Sequence, residues 1–171
     1  KVKSNWPKLS FIKLNAFYNS IKHPFLKFIT NRMNKNILVL CTGNSCRSQM
    51  AHGYLHHFAS KKATIYSAGI ETHGVNPRAI SIMKEDGIDI SMHTSNNVSE
   101  YIQIAFDYIL TVCDHAHENC PYIPSDAVRL HKDFYDPSKI KSENEVEIHA
   151  AFEKARNEIK EYCSKFVKEN L

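Results

Sequence analysis

Acidic residues are absent from the start of this 171-residue sequence, where no aspartate or glutamate precedes Glu71. Residues 1–32 carry seven lysines and arginines, so the whole-chain net charge of +4 leaves −3 for residues 33–171. The main body of the chain is therefore mildly acidic and lacks the clustered basic charge by which proteins bind nucleic acids. We expect no nucleic-acid partner.

Long apolar runs are also missing, because no stretch comes near the roughly 18 residues that a membrane span needs. The cysteines are odd in number, and their uneven spacing does not suit the paired framework of a small secreted protein. Such a set is typical of reactive thiols in a reducing compartment, so we expect a cytoplasmic protein. The five cysteines are Cys41, Cys46, Cys113, Cys120 and Cys163.

Residues 1–33 lack the uninterrupted apolar core of a signal peptide, since Lys13, Lys22 and Lys27 interrupt their scattered aromatic side chains. One interpretation is a basic amphipathic segment that lies on an anionic membrane surface. The alternative, which we favour because regular patterning begins only at Asn34, is a basic extension that is poorly ordered and makes no membrane contact. The sequence therefore predicts one patterned domain at 34–171, large enough to bury a core of its own.

From Asn34 onward, short apolar runs alternate with segments of helical periodicity. Strands are predicted at 36–41, 64–67, 107–112 and 127–131, and helices at 48–58, 76–87, 97–106 and 142–168. The last helix is expected to bury Val146, Ala150, Phe152, Ile159, Cys163, Phe166 and Val167. Strands separated by helices predict an α/β fold in which a four-stranded parallel sheet has helices on both faces. Ligands of such folds bind beyond the carboxyl ends of the strands.

The first predicted strand runs directly into the sequence Cys41-Thr42-Gly43-Asn44-Ser45-Cys46-Arg47-Ser48. A strand, a tight loop and a helix start form a cradle for a tetrahedral oxyanion, because the loop amides and the helix N-terminus converge on it. Five residues separate Cys41 from Arg47, the spacing at which a thiolate lies beneath the anion while a guanidinium holds its oxygens. We expect this positive field to lower the pKa of Cys41, and Ser48 to donate a hydrogen bond to its thiolate. The amides that bind the oxyanion would come from Thr42, Gly43, Asn44, Ser45 and Cys46, the last of which we interpret as a packing residue or a spare thiol.

A second pair of thiols, Cys113 and Cys120, follows another predicted buried strand. Thiol–disulfide exchange passes oxidation from one sulfur to the next, so three thiols with one in an oxyanion loop indicate a relay. In a regular helix the pair would lie about 10 Å apart, whereas a disulfide needs Cα atoms within roughly 7 Å. The segment would have to unwind or fold back, unless Cys113 is only a buried apolar residue and Cys120 a surface residue.

Asp136, which precedes Pro137 in a loop-like stretch, is a candidate general acid. A carboxylic acid close to the oxyanion could protonate the leaving group, a role that burial favours by keeping the acid protonated. The alternative is an ordinary Asp-Pro turn without a catalytic role.

Together, these motifs resemble those of the thioredoxin-coupled arsenate reductases, a family that shares the fold of the low-molecular-weight protein tyrosine phosphatases. The resemblance covers about residues 35–170. It rests on the segments 41–51, 66–77 and 89–91 and on the Cys113/Cys120 pair. Gln49 differs from the phosphatase branch, which usually has proline there, and Ser138-Lys139 replaces the tyrosine pair that phosphatases tend to carry.

The resemblance implies that Cys41 attacks arsenate held by Arg47 and the loop amides, while Asp136 protonates the leaving oxygen. Cys113 then attacks Cys41 and releases arsenite, and Cys120 attacks Cys113 to leave a disulfide that thioredoxin reduces. The family therefore implies a reductase without a tightly bound cofactor, with arsenate or phosphate as the bound oxyanion and thioredoxin as the protein partner. We expect it to be a monomer.

The sequence departs from the family at a cation site. Relatives often have carboxylates where this chain has His52 and Asn96, and with Asn44 and Ser67 these positions hold potassium in some of them. Loss of both carboxylates removes the charge that a cation needs, which predicts weak or absent potassium activation. We expect no metal at the other histidines either, although His115 and His117 could join Cys113 and Cys120 around zinc.

Two other functions remain open from the sequence. A low-molecular-weight phosphatase would use the same loop to hydrolyse phosphomonoesters through a Cys41 phosphoenzyme. A thiol sensor would bind an oxyanion or a regulatory partner without catalysis.

Overall fold

Four parallel strands form one sheet in the order β2–β1–β3–β4 in this computed structural model, which describes residues 34–119, 123 and 126–171. The strands are β1 (Lys35–Cys41), β2 (Ala63–Gly69), β3 (Tyr108–Thr111) and β4 (Val128–His131). β1 lies inside the sheet, paired with β2 on one side and with β3 on the other. The predicted α/β fold with a four-stranded parallel sheet is confirmed.

The α-helices of the described residues are α1 (Arg47–Ala59), α2 (Pro77–Glu85), α3 (Asp114–Asn119) and α4 (Glu145–Asn170). α2 begins as predicted, because the Asn76 side chain accepts a hydrogen bond from the Arg78 amide and proline takes the first helical position. Gly87, at φ +78°, then leads the chain away from the helix. Asn144 caps α4 through its side chain as Asn76 caps α2.

The side chains of β1 alternate between two apolar clusters on opposite faces of the sheet. Ile37 and Val39 belong to the larger cluster, into which α1, α2 and α4 pack. Leu38 and Leu40 belong to the smaller one, which contains Val98 and residues of β2 and β3. Burial on both faces explains why β1 is a continuous apolar run rather than an alternating one.

The predicted helix at 97–106 is wrong, because the chain forms only a 3₁₀ turn at Val98–Tyr101. The Glu100 carboxylate accepts a hydrogen bond from the Asn97 amide at 2.7 Å and closes this turn on itself. The chain must then leave the turn, since the Asp107 amide donates to a carbonyl of β1 at 2.9 Å immediately before β3 begins. The segment is a connection that the sheet directs, and the helical periodicity did not reveal this.

The predicted buried face of the last helix is correct except near its start. Val146 is 76 % exposed, and Ala150 is also exposed. These two positions each lie two residues, or about half a helical turn, before the buried Ile148 and Phe152. They therefore fall on the opposite face of α4, away from the sheet. The buried face recurs instead at Ile148, Phe152, Ala155, Ile159, Cys163, Phe166 and Val167.

Two parts of the sequence interpretation lie outside the described residues: the basic extension at 1–33 and the thiol of Cys120. Within the part of the chain that the structure describes, no helix has the length and apolar character to cross a bilayer.

Candidate active site

β1 places Cys41 at the carboxyl edge of the sheet, where it is 5 % exposed. The chain then turns through residues 42–46 and enters α1 at Arg47, whose helix has no side-chain cap at its start. The loop therefore ends on free helix amides, which favour an anion through hydrogen bonding and through the helix dipole. The predicted order of strand, loop and helix is confirmed.

Residues 70–76 form a strap that holds the carbonyl groups of this loop. The strap amides donate from Ile70 to Cys41 (3.3 Å), from Glu71 to Thr42 (2.9 Å), from His73 to Gly43 (3.1 Å) and from Asn76 to Ser45 (2.9 Å). Because these carbonyls face the strap, the N–H groups of the same peptides face the opposite side, where an oxyanion would bind above Cys41. The sequence alone assigned no role to residues 70–75, which lie within the motif at 66–77. In the structure these residues help to hold the oxyanion loop.

Asn44 forms the bend of the loop and has a left-handed backbone conformation at φ +43°. Its side-chain amide donates to Ser48 Oγ at 3.0 Å, and its side-chain oxygen accepts from the Asn96 amide at 2.8 Å. These contacts stabilise a conformation that most residues avoid. The Ser48 hydroxyl thus contacts Asn44, and its hydrogen bond to the Cys41 thiolate stays a prediction.

Gln49 is fully buried and connects the bend to the segment that carries His93. Its Nε2 donates to the Asn44 backbone oxygen at 2.9 Å, to the Asn44 side-chain oxygen at 3.1 Å and to the Thr94 carbonyl at 2.9 Å. Its Oε1 lies 3.0 Å from His93 Nδ1, which assigns the proton to that nitrogen. Sequence reasoning treated Gln49 only as a marker of relationship, whereas the structure makes it a clamp on the loop.

Arg47 and Asp136 lie together, as a joint role in oxyanion chemistry requires. Arg47 is 8 % exposed, and its guanidinium donates to the Phe134 carbonyl at 2.9 Å and to Asp136 Oδ2 at 2.8 Å. A second carboxylate, Asp133, lies 3.6 Å from the same guanidinium. Asp136 Oδ1 accepts from the Ser138 amide at 3.1 Å and from its hydroxyl at 2.6 Å, so Asp136 is fixed from both sides.

The structure places Cys113 near enough to Cys41 for each thiol to shift the pKa of the other. Its Sγ also lies 3.3 Å from Thr42 Oγ1, which places the second thiol beside the first residue of the loop. Cys113 directly precedes α3, and both thiols are buried and free. The two thiols that a Cys41–Cys113 disulfide would join are therefore neighbours at the start of the loop.

The pair shares one proton unequally. The hydrogen bond from Cys41 lowers the pKa of Cys113 to about 5 despite partial burial, with help from Thr42, the Ala116 amide and Arg47. The same hydrogen bond, burial and the charge of Cys113 raise the pKa of Cys41 and outweigh Arg47. The predicted lowering of the Cys41 pKa is wrong, because sequence reasoning did not include a second thiol beside it. The pair as a unit holds one thiolate near neutral pH.

Cys46 faces the same cavity but does not share this activation. Burial raises its pKa to about 12, with a further contribution from the charge of Asp136 that exceeds the opposing effect of Arg47. Its thiol therefore stays protonated, which agrees with a packing role.

The cavity above the loop has a volume of about 390 Å³. Its wall includes three basic side chains that sequence reasoning did not assign to the site, namely His73, His115 and Lys139. The His73 ring lies so close to Gly43 that a Cβ atom there would collide with it, and its Nε2 lies 2.9 Å from Glu71 Oε2. The sequence positions of two of them gave a signal, since His73 lies within the motif at 66–77 and His115 lies between Cys113 and Cys120, whereas Lys139 lies outside the motifs that carried the resemblance.

The proposed cation positions are filled by the protein's own groups. His52 Nδ1 lies 3.0 Å from Ser67 Oγ, and its ring stacks on His93 with centroids 4.4 Å apart. Burial, followed by the neighbouring histidines His93 and His56, lowers the pKa of His52 to about 3, so the ring is neutral. Among the described residues, no group of three or more histidine, cysteine or carboxylate side chains is arranged to hold a metal ion.

A sequence model of low molecular weight phosphotyrosine protein phosphatases matches residues 36–171 of the chain. The chain belongs to this family. Within the family, it is 47% identical over 128 residues to an arsenate reductase of Halalkalibacterium halodurans, covering 74% of this chain and 91% of that protein. It is 50% identical over 127 residues to arsenate reductase 1 of Staphylococcus epidermidis, covering 74% and 90% respectively.

The fold of this family member also matches solved structures. One is an arsenate reductase in its phosphate-binding state, with a TM-score of 0.64 and 28% identity over 79% of this chain and 98% of that one. A tyrosine phosphatase, Wzb of Vibrio vulnificus in complex with benzylphosphonate, gives a TM-score of 0.64 at 24% identity and shares the fold. The predicted relationship to both branches is thus confirmed.

Proposed function

We propose that this protein reduces arsenate to arsenite, with Cys41 as nucleophile and Cys113 as resolving thiol. The observation that carries the proposal is the position of Cys113 beside the oxyanion loop, where its Sγ lies 3.3 Å from Thr42 Oγ1 and its thiol is near enough to that of Cys41 for each to shift the pKa of the other. A phosphatase needs only one thiol at this place, whereas a two-electron reduction needs two. The arsenate reductases among its relatives, at 45–50% identity, support the same assignment.

The first step begins with arsenate bound by the loop amides and Arg47, above Cys41. The Cys41 thiolate attacks arsenic, and an oxygen leaves as water after it receives a proton from Asp136. Because Cys113 lies beside Cys41, it can take the proton of Cys41 and leave the charge where the arsenic atom is bound. The product of this step is a bond between Cys41 sulfur and arsenic(V).

The second step transfers the electrons. Cys113 attacks the sulfur of Cys41, a disulfide forms between them, and the sulfur–arsenic bond breaks with its electron pair kept by arsenic. Arsenic thereby becomes trivalent and leaves as arsenite, and the two thiols together have given two electrons. Arsenate and two thiols have then become arsenite, one disulfide and water.

Regeneration requires a third thiol and an external reductant. Cys120 would attack Cys113, free Cys41 and leave a Cys113–Cys120 disulfide for thioredoxin. α3 extends over Asp114–Asn119, directly after Cys113. Because a regular helix between Cys113 and Cys120 would hold the two residues too far apart for a disulfide, this exchange requires α3 to unwind. Thioredoxin and the exposure of the last disulfide belong to this proposal and rest on the family resemblance.

The test is a coupled assay of arsenate reduction with thioredoxin, thioredoxin reductase and NADPH. Cys113→Ser should abolish multiple-turnover arsenate reduction but leave any hydrolysis of p-nitrophenyl phosphate intact. Cys41→Ser should abolish both, whereas Cys163→Ala, at a buried thiol in the core, should change neither by more than about twofold. Full arsenate turnover by Cys113→Ser would overturn the proposal.

The second candidate function is phosphomonoester hydrolysis through a Cys41 phosphoenzyme. It is supported by the family to which the chain belongs and by the position of Asp136 beside Arg47, where it could protonate a leaving alkoxide. Hydrolysis of p-nitrophenyl phosphate without any arsenate turnover in the coupled assay would favour this candidate.

A further inference from the structure

Arg47, the expected ligand of the oxyanion, is hydrogen-bonded to two groups of the protein itself. One terminal nitrogen donates to Asp136 Oδ2 at 2.8 Å, and the other donates to the Phe134 carbonyl at 2.9 Å. The ion pair is largely buried, with the Arg47 side chain 10% and the Asp136 side chain 17% exposed. A tetrahedral dianion that binds the same terminal nitrogen as Asp136 must compete with the carboxylate that already holds it.

The competition has an electrostatic consequence for Asp136. When Arg47 turns to the oxyanion, Asp136 loses its close cation and faces a dianion across the same small cavity. An ionised carboxylate in that position would be repelled, and in a partly buried site this repulsion is strong. Uptake of one proton removes the repulsion and converts Oδ2 into a hydrogen-bond donor.

We propose that oxyanion binding exchanges the partner of Arg47 from Asp136 to the oxyanion and loads a proton onto Asp136. The inference rests on the proposed function in one respect, namely that the loop binds the oxyanion. It adds an account of how the acid of the reaction obtains its proton. Ser138 keeps Oδ1 in place through its amide and hydroxyl, so the freed and protonated Oδ2 stays at the cavity wall, facing the oxygen that leaves.

Other titratable groups face Asp136 and could take up the proton instead. They are the thiols Cys41, Cys46 and Cys113, the carboxylate Asp133 beside Arg47, and the cavity-lining His73, His115 and Lys139. The thiolate shared by Cys41 and Cys113 is the strongest competitor, because the oxyanion would bind directly above it. A test must therefore remove this thiolate before protons are counted.

The experiment is calorimetric titration of the full chain with sulfate, in two buffers of different ionisation enthalpy, which together give the number of protons bound. Sulfate keeps its charge over the working range, so the protons counted belong to the protein. The parent is Cys41→Ser/Cys113→Ser, measured at about pH 6, where an unpaired aspartate is ionised. We expect the parent to take up nearly one proton more than the same chain with Asp136→Asn added, because any uptake by the cavity histidines is common to both.

Removal of the competing carboxylate should also strengthen sulfate binding, by about tenfold for Asp136→Asn. Asp133→Asn is the matched control, since it neutralises a carboxylate 3.6 Å from the same guanidinium but should leave the proton uptake in place. An infrared difference spectrum of the parent gives an independent measurement, because sulfate should produce a new band of a protonated carboxyl group whether or not Asp136→Asn folds.

Sulfate binding with equal proton uptake in the presence and absence of Asp136, or without a protonated-carboxyl band, would overturn this inference and leave the oxyanion loop intact. Failure of the parent and of the native chain to bind sulfate, phosphate or arsenate would instead overturn the proposed function together with the inference.

Discussion

The neighbouring thiols of Cys41 and Cys113 shift the pKa of each other in opposite directions. The spacing of Cys41 and Arg47 was sufficient to predict a nucleophile and its anion-binding partner, because that pattern is local in sequence. The contact between Cys41 and Cys113 joins positions that are far apart in the chain, so no local pattern could reveal that Cys113 carries the lowered pKa. The site follows from the sequence in its parts, whereas its proton balance follows from the fold.

The thiolate of the pair should be visible in a spectroscopic titration. In the native chain we expect thiolate absorbance in the ultraviolet to appear with a midpoint near pH 5, the value to which the pKa of Cys113 is lowered. Cys41→Ala removes the largest cause of that lowering and should move the midpoint to higher pH. Cys163→Ala should leave it unchanged, since burial raises the pKa of that thiol. An unchanged midpoint in Cys41→Ala would contradict the hydrogen-bonded pair.

Gln49 offers a second prediction at the scale of a residue. Gln49→Leu leaves buried polar partners at Asn44 and Thr94 unsatisfied, which should lower the free energy of unfolding by about 1–3 kcal/mol. Because the bend at Asn44 loses its clamp, phosphate affinity should also fall, by about tenfold. The control is Gln103→Leu at an exposed position, and chemical denaturation and phosphate titration of both variants check the result. Equal phosphate affinity in the two variants would show that the clamp is not needed for binding.

At the scale of elements, the strap and the oxyanion loop act as one unit. Most strand and helix positions were predictable because their apolar periodicity coincides with the faces that the core buries. The segment 97–106 was not, since a capped turn and the start of β3 decide its path. The strap has no regular secondary structure and almost no periodicity, so its role depends wholly on hydrogen bonds formed after folding.

Two glycines provide a test of this unit. A Cβ atom at Gly43 would collide with the His73 ring, which is a side chain and can be removed, whereas one at Gly69 would collide with backbone atoms of the strap and of the loop. We therefore expect Gly43→Ala to weaken phosphate binding and Gly43→Ala/His73→Ala to recover most of it. Gly69→Ala should weaken binding too, without any recovery when His73→Ala is added.

Phosphate titration of these variants, with His73→Ala alone as the reference, measures the coupling between the two positions. If His73→Ala rescues Gly69→Ala as well as Gly43→Ala, the collision is not the cause, and the rigid fit between strap and loop is refuted.

At the scale of the whole molecule, four separate segments converge on the cation site that the family resemblance implies. α1 supplies His52, β2 supplies Ser67, the loop supplies Asn44, and the chain before the 3₁₀ turn supplies Asn96. The polar groups of Asn96 are taken by protein partners, because Nδ2 donates to Glu100 at 2.9 Å and Oδ1 accepts from Thr94 at 2.7 Å. Hydrogen bonds within the protein thus replace the contacts that a cation would make at this junction.

This replacement predicts that turnover is the same in potassium chloride and in sodium chloride at equal ionic strength. Burial lowers the pKa of His52 to about 3, so the ring adds no charge at working pH. A histidine ring also lacks the carboxylate oxygens that a cation would bind. His52→Glu/Asn96→Asp restores two carboxylates at the junction and should create a potassium-dependent rise in turnover. His57→Glu, at an exposed position on the same helix, should not create one. A clear potassium response of the native chain would refute the argument, because a cation would then act at a junction that the protein's own hydrogen bonds already fill.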